Sequence, residues 1–139
     1  MGVAQRRKRE RRARQELFLD VAEELARSQR LESVSIEELT RRAEFSKRTF
    51  YLYFQDKHDL LAAVALRALE RLQTRLDVVL ASTAPPVQRV EELAWAYFDF
   101  FAEERDSFDR LLRFEEDAYH LRKVAPQEGP HAQLYVEKT

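Results

Sequence analysis

From Gln15 the apolar positions Leu17, Phe18, Val21, Ala22, Leu25 and Ala26 recur at three- and four-residue intervals, the spacing that lines one face of a helix. The pattern predicts a first helix running from a basic N-terminal segment to about Ser28. Its solvent face carries Glu16, Asp20, Glu23, Glu24 and Arg27, with Glu23 and Arg27 four apart as a helix-favouring pair. After a connection over 29–34, Ser35-Ile36-Glu37-Glu38 has the form of a capping box, in which the Ser35 hydroxyl accepts from the backbone of Glu38 and the Glu38 carboxylate reaches back. Ile36, Leu39 and Ala43 then give a short second helix. Ser46 repeats the start signal three residues after Ala43, so a third helix begins almost at once and the pair has helix-turn-helix spacing.

The third helix is expected to end near Phe54, because Asp56 offers another N-cap and Asp59 follows in the first turn of the next helix. From Lys57 a long fourth helix is carried by Leu60, Leu61, Val64, Leu66, Ala68, Leu69, Leu72, Leu76, Val79 and Leu80, and Ser82-Thr83-Ala84-Pro85-Pro86 stops it. Val90, Leu93, Ala94, Tyr97 and Phe101 mark one face of a fifth helix, with Trp95, Phe98 and Phe100 on its other faces. A sixth is expected after Asp106 or Ser107, with Phe108, Leu111, Leu112 and Phe114. The stretch 125–130 reads as a loop, and the nine residues beyond it are too few for another packed helix.

Composition agrees with an all-helical chain. Of 139 residues, 45% are hydrophobic and 35% charged, with two glycines and four prolines, enough apolar material for a core and few breakers. The absence of cysteine removes disulfides, thiolate catalysis and cysteine metal sites. No run approaches the length of a membrane span, so a cytoplasmic protein without membrane association is expected. The net charge of −1 conceals an asymmetry: residues 1–57 hold 14 Lys/Arg against 10 Asp/Glu, and the remainder 10 against 15. The basic half is where a polyanion would bind. Within it, Arg6 to Arg14 sets seven cations around one acid.

A helix starting after Ser46 sorts SKRTFYLYF by face. Phe50 and Phe54, four apart, turn toward Leu39, Ala43 and the first helix, leaving Lys47, Arg48, Thr49, Tyr51 and Leu52 facing elsewhere and Tyr53 between. Residues 15–61 resemble the N-terminal DNA-binding domain of the tetracycline-repressor (TetR) family. The resemblance lies in Leu25, Ser35-Ile36, Leu39 and Ala43, then Ser46-Lys47-x-Thr49-Phe50-Tyr51-x-Tyr53-Phe54-x-x-Lys57-x-x-Leu60-Leu61, and its spacing has no gaps.

The resemblance implies that the third helix enters the major groove with Lys47, Arg48, Thr49 and Leu52 near base edges. Tyr51 would reach a phosphate, Ser35 and Lys57 would favour the same anion from neighbouring helix starts, and the arm's Arg6, Arg7, Arg9, Arg11 and Arg12 would add backbone or minor-groove contacts. Two departures stand out: the family commonly has glycine where this chain has Arg30 and Glu44, and a non-glycine residue in a left-handed turn costs on the order of 1 kcal/mol. Glu37 and Glu44 bring carboxylates toward the expected DNA side, as solvated helix-face groups, as repellers of phosphate or as acceptors from a cytosine amino group. In the family the C-terminal half binds a small effector and dimerises, so Trp95, Tyr97, Phe98, Phe101, Phe108 and Phe114 become candidate pocket residues, equally readable as core. The family's dimer helices would fall past Thr139.

Enzyme chemistry finds little support. Asp117-x-x-His120 resembles half of a carboxylate-bridged metal site without the second copy such a site needs, His58 and His131 lack ligand spacing, and there is no phosphate-cradling glycine loop or serine elbow. No catalytic residue, metal or cofactor is expected. The expectation is an all-α protein: a basic arm (1–14), a three-helix DNA-binding domain (15–57), then a connecting helix with a short, reduced or truncated effector domain (58–139). Its expected role is a ligand-responsive repressor that binds a palindromic double-stranded operator as a homodimer. A helical protein-interaction module with a basic tail is the alternative.

Overall fold

The computed structural model describes residues 2–106 together with 109, 113, 130, 131 and 137. Among the described residues the α-helices α1 (Val3–Ser28), α2 (Ile36–Ala43), α3 (Lys47–Tyr53), α4 (Lys57–Leu80) and α5 (Pro86–Glu103) follow in order, with a 3-10 turn at Leu31–Ser33 between the first two. No strand occurs among the described residues. The chain divides into two compact units, one made of Met1–Val64 with the described residues of 127–139, the other of the described residues of Ala65–Pro126. The division falls within α4, two turns past its start at Lys57.

The first unit is built around Phe18. It is fully enclosed and meets the rings of Phe45 (5.1 Å), Phe50 (5.8 Å), Tyr53 (6.0 Å) and Phe54 (6.0 Å), with Phe50 and Phe54 edge-on, the arrangement that aromatic quadrupoles favour. Leu25, Leu31, Val34, Leu39, Ala43 and Leu60 complete the same core. The expected positions of Phe50 and Phe54 are thereby confirmed, and Tyr53 packs partly buried against them.

Both short helices are capped as their serines dictate. Ser35 Oγ accepts from the Glu38 N–H at 3.1 Å, and Ser46 Oγ from the Thr49 N–H at 3.2 Å. Of the capping box only this half forms. At the far end of α2 the Phe45 N–H reaches the Thr40 carbonyl (2.9 Å) and the Glu44 N–H that of Arg41 (3.2 Å), closing the helix with Glu44 in the left-handed region at φ 58°, ψ 35°. Arg30, the other position where a glycine was anticipated, sits at φ −70°, ψ 123°. That is extended backbone, so no glycine is required there.

In the second unit Leu66, Ala68, Leu72 and Phe100 are buried, and α5 starts at Pro86, where a missing N–H is harmless. Ion pairs join α5 to the second half of α4: Arg71 Nε donates to Glu104 at 2.8 Å, and Arg75 Nη2 to Glu103 at 2.6 Å. Arg75 also lies 5.5 Å from the Phe100 ring centre. This geometry corrects the expected facing of α5. Phe100 is 0% exposed, while Trp95 and Phe98 are each 59% exposed, and Val90, Tyr97 and Phe101 also lie on the outside. The inner stripe is Leu93, Ala96 and Phe100, a three-four progression that the equally periodic set from Val90 to Phe101 outnumbered in the sequence. The expected sixth helix lies almost entirely outside the described residues.

The two anticipated glycine positions give a paired prediction. Glu44→Gly should stabilise the protein by up to about 1 kcal/mol in urea unfolding followed by helical circular dichroism, whereas Arg30→Gly should gain nothing.

Candidate nucleic-acid interface

Once Phe50 and Phe54 are committed to the core, helical geometry turns Lys47, Arg48, Tyr51 and Leu52 outward. Leu52 is 60% and Tyr51 53% exposed, and Lys47 and Arg48 are exposed on the first turn. An outward leucine beside two cations offers the kind of apolar contact a thymine methyl makes in a groove. Tyr51 is held edge-on to Phe50 with ring centres 5.3 Å apart, which fixes its ring while leaving the hydroxyl outward. Thr49 is less available than its neighbours, because its hydroxyl lies 3.0 Å from Ser46 Oγ.

Around α3 the remaining candidates take distinct places. Ser35 and Lys57 line one cleft with Leu31, Val34, Ile36, Leu39 and Leu60. The Ser35 oxygen is engaged in capping α2, and Lys57 Nζ donates to the Glu32 carbonyl, tying the start of α4 to the 3-10 turn. The basic segment is α-helical from Val3 and continuous with α1. Arg6 pairs with Glu10 at 3.8 Å, and Arg6, Arg7, Arg9 and Arg12 are exposed. Arg11 instead donates to the Leu52 carbonyl at 2.9 Å and lies 5.5 Å from the Tyr53 ring centre. It satisfies a carbonyl at the negative end of α3 and fastens the arm beside that helix. No local sequence signal announces a contact between residues 41 apart.

Lys47 is not presented alone: its ammonium is paired with the Glu37 carboxylate at the start of α2, both side chains being more than half exposed. The hydrogen bond between them pushes the Glu37 carboxyl below its usual range and the Lys47 ammonium above its own.

Behind this surface lies a feature the sequence did not suggest. Asp59 caps nothing on the outside; it is 0% exposed and accepts from the Gln55 N–H (3.1 Å), the His131 N–H (2.9 Å) and the His131 ring Nδ1 (2.9 Å). The same imidazole stacks 5.2 Å from Phe54 and contacts the Gln15 amide. His131, to which the sequence assigned no packed role, therefore joins the first unit. Burial pushes the Asp59 carboxyl up, but the hydrogen bond from the His131 ring, that from Gln55, the charge of His131 and its backbone N–H together hold it below the usual carboxylate range. The expected N-cap is also present, with the Asp59 N–H donating to Asp56 Oδ1 at 2.8 Å.

Residues 18–64 match the bacterial regulatory proteins of the tetR family. Over 95 residues the chain is 33% identical to the HTH-type transcriptional activator FasR of Mycolicibacterium smegmatis, an alignment that covers 68% of this chain and 42% of that protein. The chain belongs to the TetR family. The match lies within the first unit, from the core ring Phe18 to Val64, where that unit's N-terminal stretch ends. The segment of this TetR-family chain that the family match covers contains the aromatic core and the two capped helices built on it.

Beyond residues 18–64, Trp95, Tyr97, Phe98 and Phe101 are exposed on α5, and Trp95 lines an open hollow with Pro85, Val87, Gln88, Glu91 and Glu92. Phe108, Phe114, Asp117 and His120 lie outside the described residues. Among the described residues no three His, Cys, Asp or Glu side chains gather in a way that could hold a metal ion, and no helix is long and apolar enough to cross a membrane.

Because the folded-state carboxyl of Asp59 is held down, its contribution is full above the ordinary value near 3.9 and is lost as pH falls through the lower folded value. Asp59→Asn should therefore destabilise the protein by about 1–3 kcal/mol near neutrality. The deficit should narrow as the pH is lowered toward about 3, read from urea unfolding midpoints across the pH range.

Proposed function

We propose that this TetR-family protein is a sequence-specific DNA-binding transcriptional regulator whose α3 reads the major groove. The observation that carries the reading is the presentation of α3. A closed aromatic core behind it leaves Lys47, Arg48, Tyr51 and Leu52 outward from one short helix, with Ser35 and Lys57 at the neighbouring helix starts. Arg48 and Lys47 suit guanine, Leu52 suits a thymine methyl, and Tyr51 suits a phosphate. The reading includes a two-fold operator bound by a homodimer in the cytoplasm; what supports two heads is that one seven-residue helix spans too few base pairs to be selective alone. A small apolar effector bound by the helical part beyond α4 would alter the spacing of the two heads and release the DNA. The proposed sign is repression, by occupancy of a promoter; the relative from Mycolicibacterium smegmatis is named an activator, so a promoter-reporter measurement decides the sign independently of DNA binding.

The decisive experiment is selection of binding sites from random duplexes. The wild-type protein should enrich a palindrome, and Arg48→Ala combined with Tyr51→Phe should not. Enrichment of the same motif by both would overturn the assignment of α3, and enrichment by neither would overturn DNA reading altogether.

A second measurement concerns the arm. Removing residues 3–10, which spares the Arg11 hydrogen bond to α3, should reduce the dependence of log affinity on log salt by about 0.9 for each phosphate no longer neutralised. The selected motif should stay the same; a changed motif would mean that the arm reads sequence.

A further inference from the structure

The Glu37–Lys47 pair links the first turns of the two helices of the helix-turn-helix. Its position is unusual in charge terms. Lys47 is the first residue of α3, where the helix dipole already disfavours a cation, while Glu37 sits at the start of α2, where the dipole favours an anion. The acid therefore serves two positive ends at once and holds the ammonium at a defined place beside Arg48. It also puts a carboxylate on the one surface that has to approach phosphates. For a protein selected only to bind DNA tightly, such a group is a liability.

We infer that Glu37 is a specificity-determining residue. It competes with phosphate for Lys47 and yields the ammonium fully only where a base edge accommodates both groups, Lys47 on guanine O6/N7 and Glu37 accepting from the N4 amino group of the paired cytosine. This rests on the DNA-binding reading above and refines it. On an unmatched sequence, phosphate is the only partner offered. Lys47 must then leave its carboxylate for an oxygen of the same charge, and the stranded carboxylate repels the backbone. On a matched G·C pair, the guanine supplies acceptors to the cation and the cytosine a donor to the anion, so both members of the pair are satisfied side by side. The pair lowers non-specific affinity more than specific affinity, and selectivity is the difference.

The test uses Glu37→Gln, which keeps shape and removes charge, with Lys47→Met and Arg48→Ala for comparison. All are exposed positions, whose folding is verified by thermal melting. Affinities are measured against the wild-type motif and a scrambled duplex over a salt series. Glu37→Gln should bind the scrambled duplex about 3- to 10-fold more tightly, with a salt slope steeper by about 0.9, and gain less on the motif, so the ratio falls. In site selection, Glu37→Gln and Lys47→Met should blur the same base pair, and Arg48→Ala a different one. If Glu37→Gln leaves both ratio and salt slope unchanged while the wild type still selects its motif, Glu37 is a solvated helix-face residue and the inference is wrong with DNA reading intact. If the two variants blur different positions, the shared G·C contact is wrong. A wild type without any selected motif fails the underlying reading, and this inference falls with it.

Discussion

Everything the first unit presents depends on the enclosure of Phe18 by four rings. Three of them, Phe50, Tyr53 and Phe54, come from a stretch of five residues on α3 and its C-cap, and the fourth, Phe45, from the turn before it. A seven-residue helix has no stability of its own. Its existence, and the direction in which its polar side chains point, come from the area it buries on α1. Rotating α3 by one residue, about 100°, would pull two phenylalanines into water and turn Lys47 and Arg48 inward. The exposed surface of α3 is therefore specified from behind.

That dependence explains how much could be read from the sequence. The boundaries of α2, α3 and α4 were legible because Ser35, Ser46 and Asp56 mark helix starts by local chemistry that needs no tertiary partner, and the Phe50/Phe54 facing follows from spacing alone. The strain at Glu44 was also visible, as the residue a tight αL turn must accommodate. Arg30 was misjudged because the backbone there turns through a 3-10 element instead. The facing of α5 was misjudged because the helix is apolar almost all round, leaving periodicity without a unique answer. The Arg11 clasp and the Asp59–His131 contact were illegible because both join residues distant in the chain through single polar groups, which leave no periodic trace.

The electrostatics of the first unit divide by depth. Inside, Asp59 is a desolvated carboxylate kept ionised by three donors, a charge whose role is to hold chain segments together. Outside, Glu37 is a solvated carboxylate whose effect is felt through the single lysine it holds. Both acids lie in the first turn of a helix, and their surroundings separate an enclosed anion from a solvated one.

The continuous helix through the basic arm has a consequence for how its charge counts. At about 100° per residue, the seven cations between Arg6 and Arg14 are spread around the whole circumference of a rod roughly 18 Å long from Val3 to Arg14, and no single side gathers them. A flat or curved polyanion laid against such a rod meets only the near half, while the far cations keep their small counterions. An unfolded arm could wrap and use them all. Holding the arm as a helix therefore limits how many of its cations any one polyanion can neutralise at once.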